Sequence, residues 1–481
     1  MRSIEENNSK TETVVFISPP IYFSGGLPVA LDSSVPPLGI MYLASYIKKY
    51  SLRFTPVVID MAAENISLRD LGVRLNKLKP FVVGISSMTP QLQGCVELAG
   101  FIKKNVFHRP KIFLGGPHVS ADSDFVNRFR DIFDYAITGE AEKTFLESIE
   151  KLARGQDVPA VQAGEVIDDL DKIPFPDKSL IERKKYSEYE SMIFSRGCPY
   201  SCYYCSRPAI SKTVRYRSAE NLIQEIKYVY DFCAGKIDFQ DDTFTINKKA
   251  VFDFCAAAAR EKLRLTWRCN TRIDLVDEEL LRAMKAGGCE LIHFGIESAS
   301  EKLRRGVIQK GNFTNEQIIN VLAMCRKLKI KAAGYFMIGH PGETKEEVKE
   351  TKDMILRSGF DLMGLSIPTP FPGSNLYDIA EAKGIVNKQV IDRFARKEMG
   401  EGYTGIYPVY TGEGITKDYL FSLMKEINRK FYVNLRMFLR KLAQDLFSWH
   451  KLAQDARDLF SLLVRGVSSR KPYVAGRRGS Q

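Results

Sequence analysis

From residue 13 to 155, short β-rich apolar runs alternate with amphipathic runs of helical period. TVVFISPP is followed by LGIMYLASYIKKY, FTPVVIDM by LRDLGVRLNKL, and FVVGISSMT by LQGCVELAGFIKKN, with KIFLGGPHV and YAITGEAE completing the series. Apolar strands separated by helices predict a parallel sheet of five strands with helices on both faces. The strands end in Pro, Gly, Ser, Thr or Asp, at the edge where open sheets of this type bind ligands. Residues 156 to 190 break the rhythm with the charged, proline-punctuated VIDDLDKIPFPDKSLIERKK, which predicts a linker wrapped on a surface.

A second alternating series begins at residue 191. Its strands are SMIFSRG, KIDFQDDTF, LTWRCNTRI, LIHFGIES, KAAGYFMIGHP and DLMGLSIPTPF, separated by helices near 218 to 232, 248 to 262, 277 to 286, 314 to 329 and 344 to 358. Six β/α units are fewer than the eight of a closed barrel, so residues 191 to 384 predict an open partial (β/α)6 barrel, its active site at the strand C-terminal ends. Residues 385 to 481 predict a helical C-terminal region. Within it Leu435, Leu439, Leu442, Leu446, Trp449, Ala453, Ala456, Phe460 and Leu463 form an apolar stripe. The last segment, VSSRKPYVAGRRGSQ, reads as a disordered basic tail.

A chain of 481 residues, 44% hydrophobic, has enough apolar material for two or three cores. No run of about 18 apolar residues occurs, and the opening MRSIEENNSKTE has no apolar secretory core, so a soluble, cytoplasmic enzyme is expected. The net charge of +12 is concentrated late: residues 425 to 481 hold 13 Lys and Arg against 4 Asp and Glu. Such an excess suits a membrane surface, an acidic substrate or an acidic partner. For the stripe the expectation is packing on protein, with peripheral membrane contact through its basic flanks as the weaker alternative.

Nine cysteines in a reducing compartment are poor disulfide candidates, so a close group of them points to a metal. Cys95, Cys233, Cys255, Cys269, Cys289 and Cys325 stand alone and read as small core residues. RGCPYSCYYCSRP instead sets Cys198, Cys202 and Cys205 in a short loop after a predicted strand. A structural zinc site wants four protein ligands, and no fourth is at hand. A 4Fe-4S cluster held by three thiolates keeps one iron open, as metal catalysis requires.

This spacing resembles the radical S-adenosylmethionine (SAM) superfamily, and the resemblance covers residues 191 to 375. It implies a cluster that chelates SAM and cleaves it to a 5'-deoxyadenosyl radical, the protein supplying position and insulation from water. It also implies cofactor contacts from Tyr204, from Gly295, Glu297 and Ser298 of FGIES, and from Ile338 in GYFMIGHPGET. Asp241 and Asp242 of DFQDDTF occupy a place of substrate or cofactor contact and are the candidate catalytic pair, or else a helix cap. Arg215, Arg217, Arg268 and Arg272 either orient carboxylates or phosphates or form ordinary ion pairs.

The domain before the barrel resembles the Rossmann-like cobalamin-binding domain of the cobalamin-dependent radical enzymes. SPP at 18 to 20, VPPLGIMYLASYI, ISSMT, GGPH and TGEAE carry the likeness, which implies contacts from Pro37, Ser86, Thr89, Gly115, Gly116, His118 and Gly139. The D-x-H-x-x-G motif that supplies a lower cobalt ligand is missing, since DMAAEN from Asp60 has no histidine. His118 is read as a contact to backbone or to a corrin amide rather than to cobalt. Gly115 and Gly116 let the backbone approach a large flat ligand.

The expected cofactors are therefore a 4Fe-4S cluster, SAM and cobalamin. The expected function is methyl transfer to an unactivated carbon of a small-molecule or lipid-like metabolite through methylcobalamin, with flavodoxin or ferredoxin as reductant. Oxidation or cyclisation without net methylation is the alternative. A methylthiotransferase would carry more N-terminal cysteines than Cys95 alone, and a non-enzymatic sensor would not need the full set of cofactor positions. No RNA-binding aromatic motif or phosphate-binding glycine loop is visible, so nucleic acid is not an expected partner.

Overall fold

The computed structural model describes residues 11–20, 35–206, 211–399, 410 and 414–432. The first sheet contains β1 (Glu12–Ser18), β2 (Phe54–Asp60), β3 (Val82–Ser86), β4 (Lys111–Gly115), β5 (Tyr135–Thr138) and β6 (Val161–Ala163), in the order β2-β1-β3-β4-β5-β6. Every pairing is parallel. Alternate residues explain the unbroken apolar runs: Val14 and Phe16 bury against the helices Leu38–Tyr50 and Glu142–Ala153, while Val15 and Ile17 bury on the opposite face against Leu92–Asn105.

The sixth strand corrects the expected count of five. β6 lies in the stretch read as linker, where Val161 pairs with Ala136. An edge strand of three residues is too short to announce itself by periodicity.

The second sheet is also parallel, in the order β14-β13-β12-β11-β10-β7. Its strands are β7 (Glu190–Met192), β10 (Lys236–Phe239), β11 (Thr266–Thr271), β12 (Cys289–Glu297), β13 (Lys331–Met337) and β14 (Leu362–Ser366); β8 (Ser195–Arg196) and β9 (Arg215–Tyr216) form a separate antiparallel ribbon. The run SMIFSRG is thus split into β7 and β8. The split has a local cause, because the amides of Phe194 and Ser195 donate to the Asp241 carboxylate at 3.0 and 2.5 Å.

The intervening helices are Ala219–Cys233, Lys248–Arg260, Glu278–Ala286, Asn315–Lys327 and Lys345–Arg357. Each starts at a polar cap, Ser218, Asn247, Asp277, Thr314 or Thr344, whose side chain accepts a first-turn amide. The six lone cysteines are all buried, as expected of core residues.

The described C-terminal helices tie the two halves together. Lys388–Ala395 returns to the first sheet, where Gln93 Nε2 donates to the Phe394 carbonyl at 3.1 Å and Asp392 pairs with Arg128 at 2.8 Å. Lys417–Tyr432 buries Leu420, Met424 and Ile427 in the barrel's core. The stripe from Leu435 to Leu463 and the basic tail lie outside the described residues. Among those described, no helix is long and apolar enough to cross a membrane.

Candidate active site

Cys198, Cys202 and Cys205 sit on the loop whose ends are joined by the ribbon β8–β9. Gly197, at φ +96°, admits this loop, since a Cβ there would collide with the Thr213 carbonyl. The loop is fixed from several sides. The Tyr203 amide donates to Ile308 O at 3.3 Å, the Leu376 amide donates to Tyr203 O at 2.8 Å, and the Tyr203 hydroxyl lies 2.8 Å from His340 Nδ1. The three cysteines are partly exposed and none is in a disulfide, while Cys198 Sγ lies 3.8 Å from Thr243 Oγ1. Among the described residues no three such groups are gathered around a single metal ion.

Beside the cysteines the ends of β12 and of the loop form a buried polar knot. Tyr204 Oη donates to Glu297 Oε1 at 2.7 Å, and Lys310 Nζ donates to the same oxygen at 2.9 Å and to Tyr204 Oη at 3.2 Å. Burial and the Glu297 carboxylate hold the Tyr204 hydroxyl well above its ordinary range, so it stays a donor. Glu297 adopts φ +70°, a costly conformation for a residue with a Cβ, and these two donors hold it there. Gly295 makes the room: a Cβ at that position would lie 2.5 Å from Lys310 Nζ. Ser298 and Ile338 are fully buried, with Ser298 Oγ accepting from the Ser300 amide at 3.1 Å. Both support the wall rather than face it.

A cavity of about 240 Å³ opens between the C-terminal ends of the two sheets. On the first sheet's side Ser86, Gly115, Gly116, Gly139 and, two residues after Pro37, Gly39 line it beside apolar side chains such as Phe113 and Phe145. On the barrel side it meets Arg196, Gly197, Gln240 and Asp242. Thr89 and His118 are not among the residues that line it. The helix Pro117–Ala121 starts immediately after Gly116 and carries His118 inward, where Nδ1 lies 3.0 Å from Thr89 Oγ1 and the ring meets the edge of Phe125. Burial pushes the His118 imidazole down to about 4, so it is neutral.

The two aspartates also part company. Asp241 is only 2% exposed and accepts from Phe194 N, Ser195 N and Ser195 Oγ. It clamps the end of β10 to β8, and so is placed differently from Asp242. Asp242 reaches the cavity.

Several residues here were not singled out from the sequence. Arg196 donates to Glu140 Oε2 at 2.9 Å and to Glu142 Oε1 at 2.7 Å, and its guanidinium lies 5.1 Å from the Tyr42 ring centre. Arg215, which the sequence offered as either an anion contact or an ion pair, bonds Glu140 as well. These contacts join β5's loop to the cysteine loop, and their signal was the charge pattern of TGEAE against RGC. Lys310 had no signal beyond its charge, since its partners come from two other segments.

Comparison with known proteins follows the same division. The B12 binding domain family matches residues 29–149 and the Radical SAM superfamily matches residues 192–355. An uncharacterized methyltransferase of Pyrococcus horikoshii is 30% identical over 461 residues, covering 92% of this chain and 96% of that protein. The chain is a B12-binding radical SAM enzyme. The enzyme is also 26% identical to the anaerobic magnesium-protoporphyrin IX monomethyl ester cyclase of Rubrivivax gelatinosus, over 88% of this chain and 77% of that one. Its fold is that of the radical SAM methyltransferase TsrM of Kitasatospora setae, solved with cobalamin and a 4Fe-4S cluster, at a TM-score of 0.67 and 16% identity, covering 88% of this chain and 89% of that one.

The cofactors of this family are a 4Fe-4S cluster, SAM and cobalamin, and the enzyme's residues fit them. Three free, partly exposed cysteines on one pinned loop have the number and chemistry of donors that a cluster with an open iron takes. At Gly39 and Gly139 a Cβ would meet nothing within 4 Å, so backbone there faces open cavity where a broad ligand can lie against it. Radical SAM enzymes act on small substrates and need a reductant.

Proposed function

We propose that this enzyme is a cobalamin-dependent methyltransferase that places a methyl group on an unactivated carbon of a small-molecule or lipid-like metabolite. One observation carries the reading: the cavity bounded by Ser86, Gly115, Gly116 and Gly139 is also bounded by Arg196, Gly197 and Asp242, so one space touches both the first sheet and the root of the cysteine loop. When bound, the cluster supplies the electron that cleaves SAM and cobalamin carries the methyl group. Cys198, Cys202 and Cys205 would hold the cluster, with Tyr204, Gly295 and Glu297 beside SAM. The first sheet's glycines would receive cobalamin, and Pro37 sets the start of the helix that presents Gly39. Arg196, neutralised by Glu140 and Glu142, closes the edge of the space and limits entry of water.

Anaerobically reconstituted enzyme, given cobalamin, a reductant and SAM labelled in its methyl group, should transfer the label to a component of a metabolite extract and form 5'-deoxyadenosine. Substrate-dependent 5'-deoxyadenosine with no transferred label would replace this reading with oxidation or cyclisation, which the similarity to the Rubrivivax cyclase supports as the second choice.

A further inference from the structure

The inner wall of the partial barrel carries a group of side chains that the cofactor site does not use. Ile237, Trp267, Ile292 and Phe336 bury against the outer helices, so their alternate neighbours Asp238, Arg268, His293 and Tyr335 face inward. The strand register sets them side by side, Asp238 opposite Arg268, and Tyr335 opposite Gly295. All are open to solvent in part: the side chains of Arg268 and Asp238 are 23% and 14% exposed, and Tyr335 is 43% exposed.

Arg268 is oriented but incompletely partnered. Its guanidinium lies over the Tyr189 ring, 4.3 Å from the centroid, and Tyr189 is itself fixed by donating to Glu290 Oε1 at 2.5 Å. Arg268 Nη2 stands 2.9 Å from Asp238 Oδ2, and its Nε–H has no acceptor among the described residues. A structural Arg–Asp pair would normally engage the fork with two parallel bonds. His293 Nδ1 likewise lacks a partner among the described residues. Its ring stacks on Tyr335 with centroids 5.5 Å apart and planes 7° from parallel. Gly364 leaves space for that stack, since a Cβ there would lie 2.8 Å from Tyr335 Cδ1. Buried polar atoms without partners are uncommon and call for a missing partner.

We infer that this wall is the substrate-recognition subsite, with Arg268 receiving an oxyanion of the substrate, carboxylate or phosphate, and the Tyr335–His293 stack receiving a flat portion next to it. Asp238 and Tyr189 hold the guanidinium plane, and rotation of its fork brings Nε and Nη toward the incoming oxygens. The inference rests on the proposed reading that the barrel takes a small substrate, and it narrows that substrate to a polar, anionic molecule rather than a lipid-like one.

The test is equilibrium binding of phenyl phosphate, benzoate and inorganic phosphate to the full, cofactor-loaded enzyme, with phenol as the uncharged control. Phenyl phosphate or benzoate should bind the wild type more tightly than phenol. Arg268→Gln should weaken that binding by about tenfold or more, and Arg268→Lys should recover only part of it, because the ammonium lacks the fork. Tyr335→Ala should weaken phenyl phosphate and leave inorganic phosphate unchanged. Iron and cobalamin content, measured on each variant, shows that the fold is retained. Should Arg268→Gln disturb that loading, Arg268→Lys against wild type decides alone. Equal affinity of wild type and both Arg268 variants for every anion, or no anion binding to the wild type, would overturn the subsite. A preference between phosphate and carboxylate in the wild type identifies the oxyanion. These measurements involve no turnover, so their failure leaves the methyl-transfer reading standing, and failure of label transfer leaves the subsite standing.

Discussion

The two sheets meet at one cavity yet present different surfaces to it. The first contributes the backbone of Gly39, Gly115, Gly116 and Gly139 together with apolar side chains such as Phe16, Ile40, Phe113 and Phe145. The barrel contributes polar and charged side chains, Arg196, Gln240 and Asp242, and meets the cavity at Gly197, where the loop that carries the three cysteines begins. A surface of glycine backbone and apolar side chains suits a wide ligand held by many weak contacts. A surface of carboxylates and cations suits small groups held by few strong ones. The difference should show in how each side fails when altered.

The largest effect is expected on the barrel side. Ala at Cys198, Cys202 or Cys205 leaves two thiolates for the cluster, and iron content and SAM cleavage should be lost while cobalamin binding persists. Near-normal iron in all three variants would remove the cluster assignment. The mirror experiment is Gly116→Val. Gly116 has φ +99°, and a Cβ there would lie 2.7 Å from Ser87 O and 2.8 Å from Ser87 N, both backbone atoms that cannot swing away. Destabilisation of about 3 kcal/mol or more is expected from strain and overlap together. Cobalamin binding should fall further than iron content, and equal loss of the two would contradict the division between the surfaces.

The comparison extends to pH, where one buried group in each region acts in the opposite sense. Burial raises the Glu343 carboxyl to about 7, in the barrel, although it accepts from the amides of Gly339 and His340. Between its ordinary value and about 7 the folded enzyme keeps this proton while the unfolded chain loses it, so stability falls as pH rises through that window. His118, in the first domain, is held down to about 4, and there the unfolded chain gains the proton first. Its contribution is present above the ordinary imidazole value and fades as pH falls toward 4. Glu343→Gln should therefore stabilise the protein at pH 7.5 relative to pH 5, by an amount on the order of 2 kcal/mol. His118→Gln should flatten the acid side, where buried His340, also held down to about 4, leaves a residual slope. Denaturation midpoints across pH 4.5 to 8 would check both, and a Glu343→Gln profile parallel to that of the wild type would refute the first.

How much of this was legible from the chain depends on whether the signal was local. The barrel's strands and capped helices were readable because each carries its own period and start residue, as Thr344 with Glu347 shows. The cysteine spacing was equally local. β6 was not, because a short edge strand needs a neighbour to define it. The inward turn of His118 and the clamp role of Asp241 were hidden for a related reason. A histidine after GGP looks the same whether it faces a cavity or Phe125, and only the packing of the helix Pro117–Ala121 decides. Paired aspartates at a strand end likewise do not reveal which of them accepts from a neighbouring strand's amides. Lys310 was the least readable, since its meaning lies wholly in Tyr204 and Glu297.

The smallest expected effect is also the most discriminating test of the backbone surface. Gly139 has φ +74° but, unlike Gly116, a Cβ there would meet nothing within 4 Å. Ala at this position should therefore cost only the left-handed conformation, roughly 1 kcal/mol of stability, with no packing penalty in the empty protein. The added methyl group nevertheless stands at a residue that lines the cavity. If cobalamin lies flat against this backbone, Gly139→Ala should lower its affinity by more than the stability loss accounts for, and Gly139→Val should lower it further. The same substitutions should lower iron content less than cobalamin affinity, because Gly139 itself lines the cavity while it is the neighbouring Glu140 that pairs with Arg196 and Arg215. Titration of cobalamin by absorbance, beside thermal unfolding of the cobalamin-free protein, separates the two quantities. Unchanged affinity in both variants would mean that the ligand stands off from β5, and that the glycines serve the turn alone.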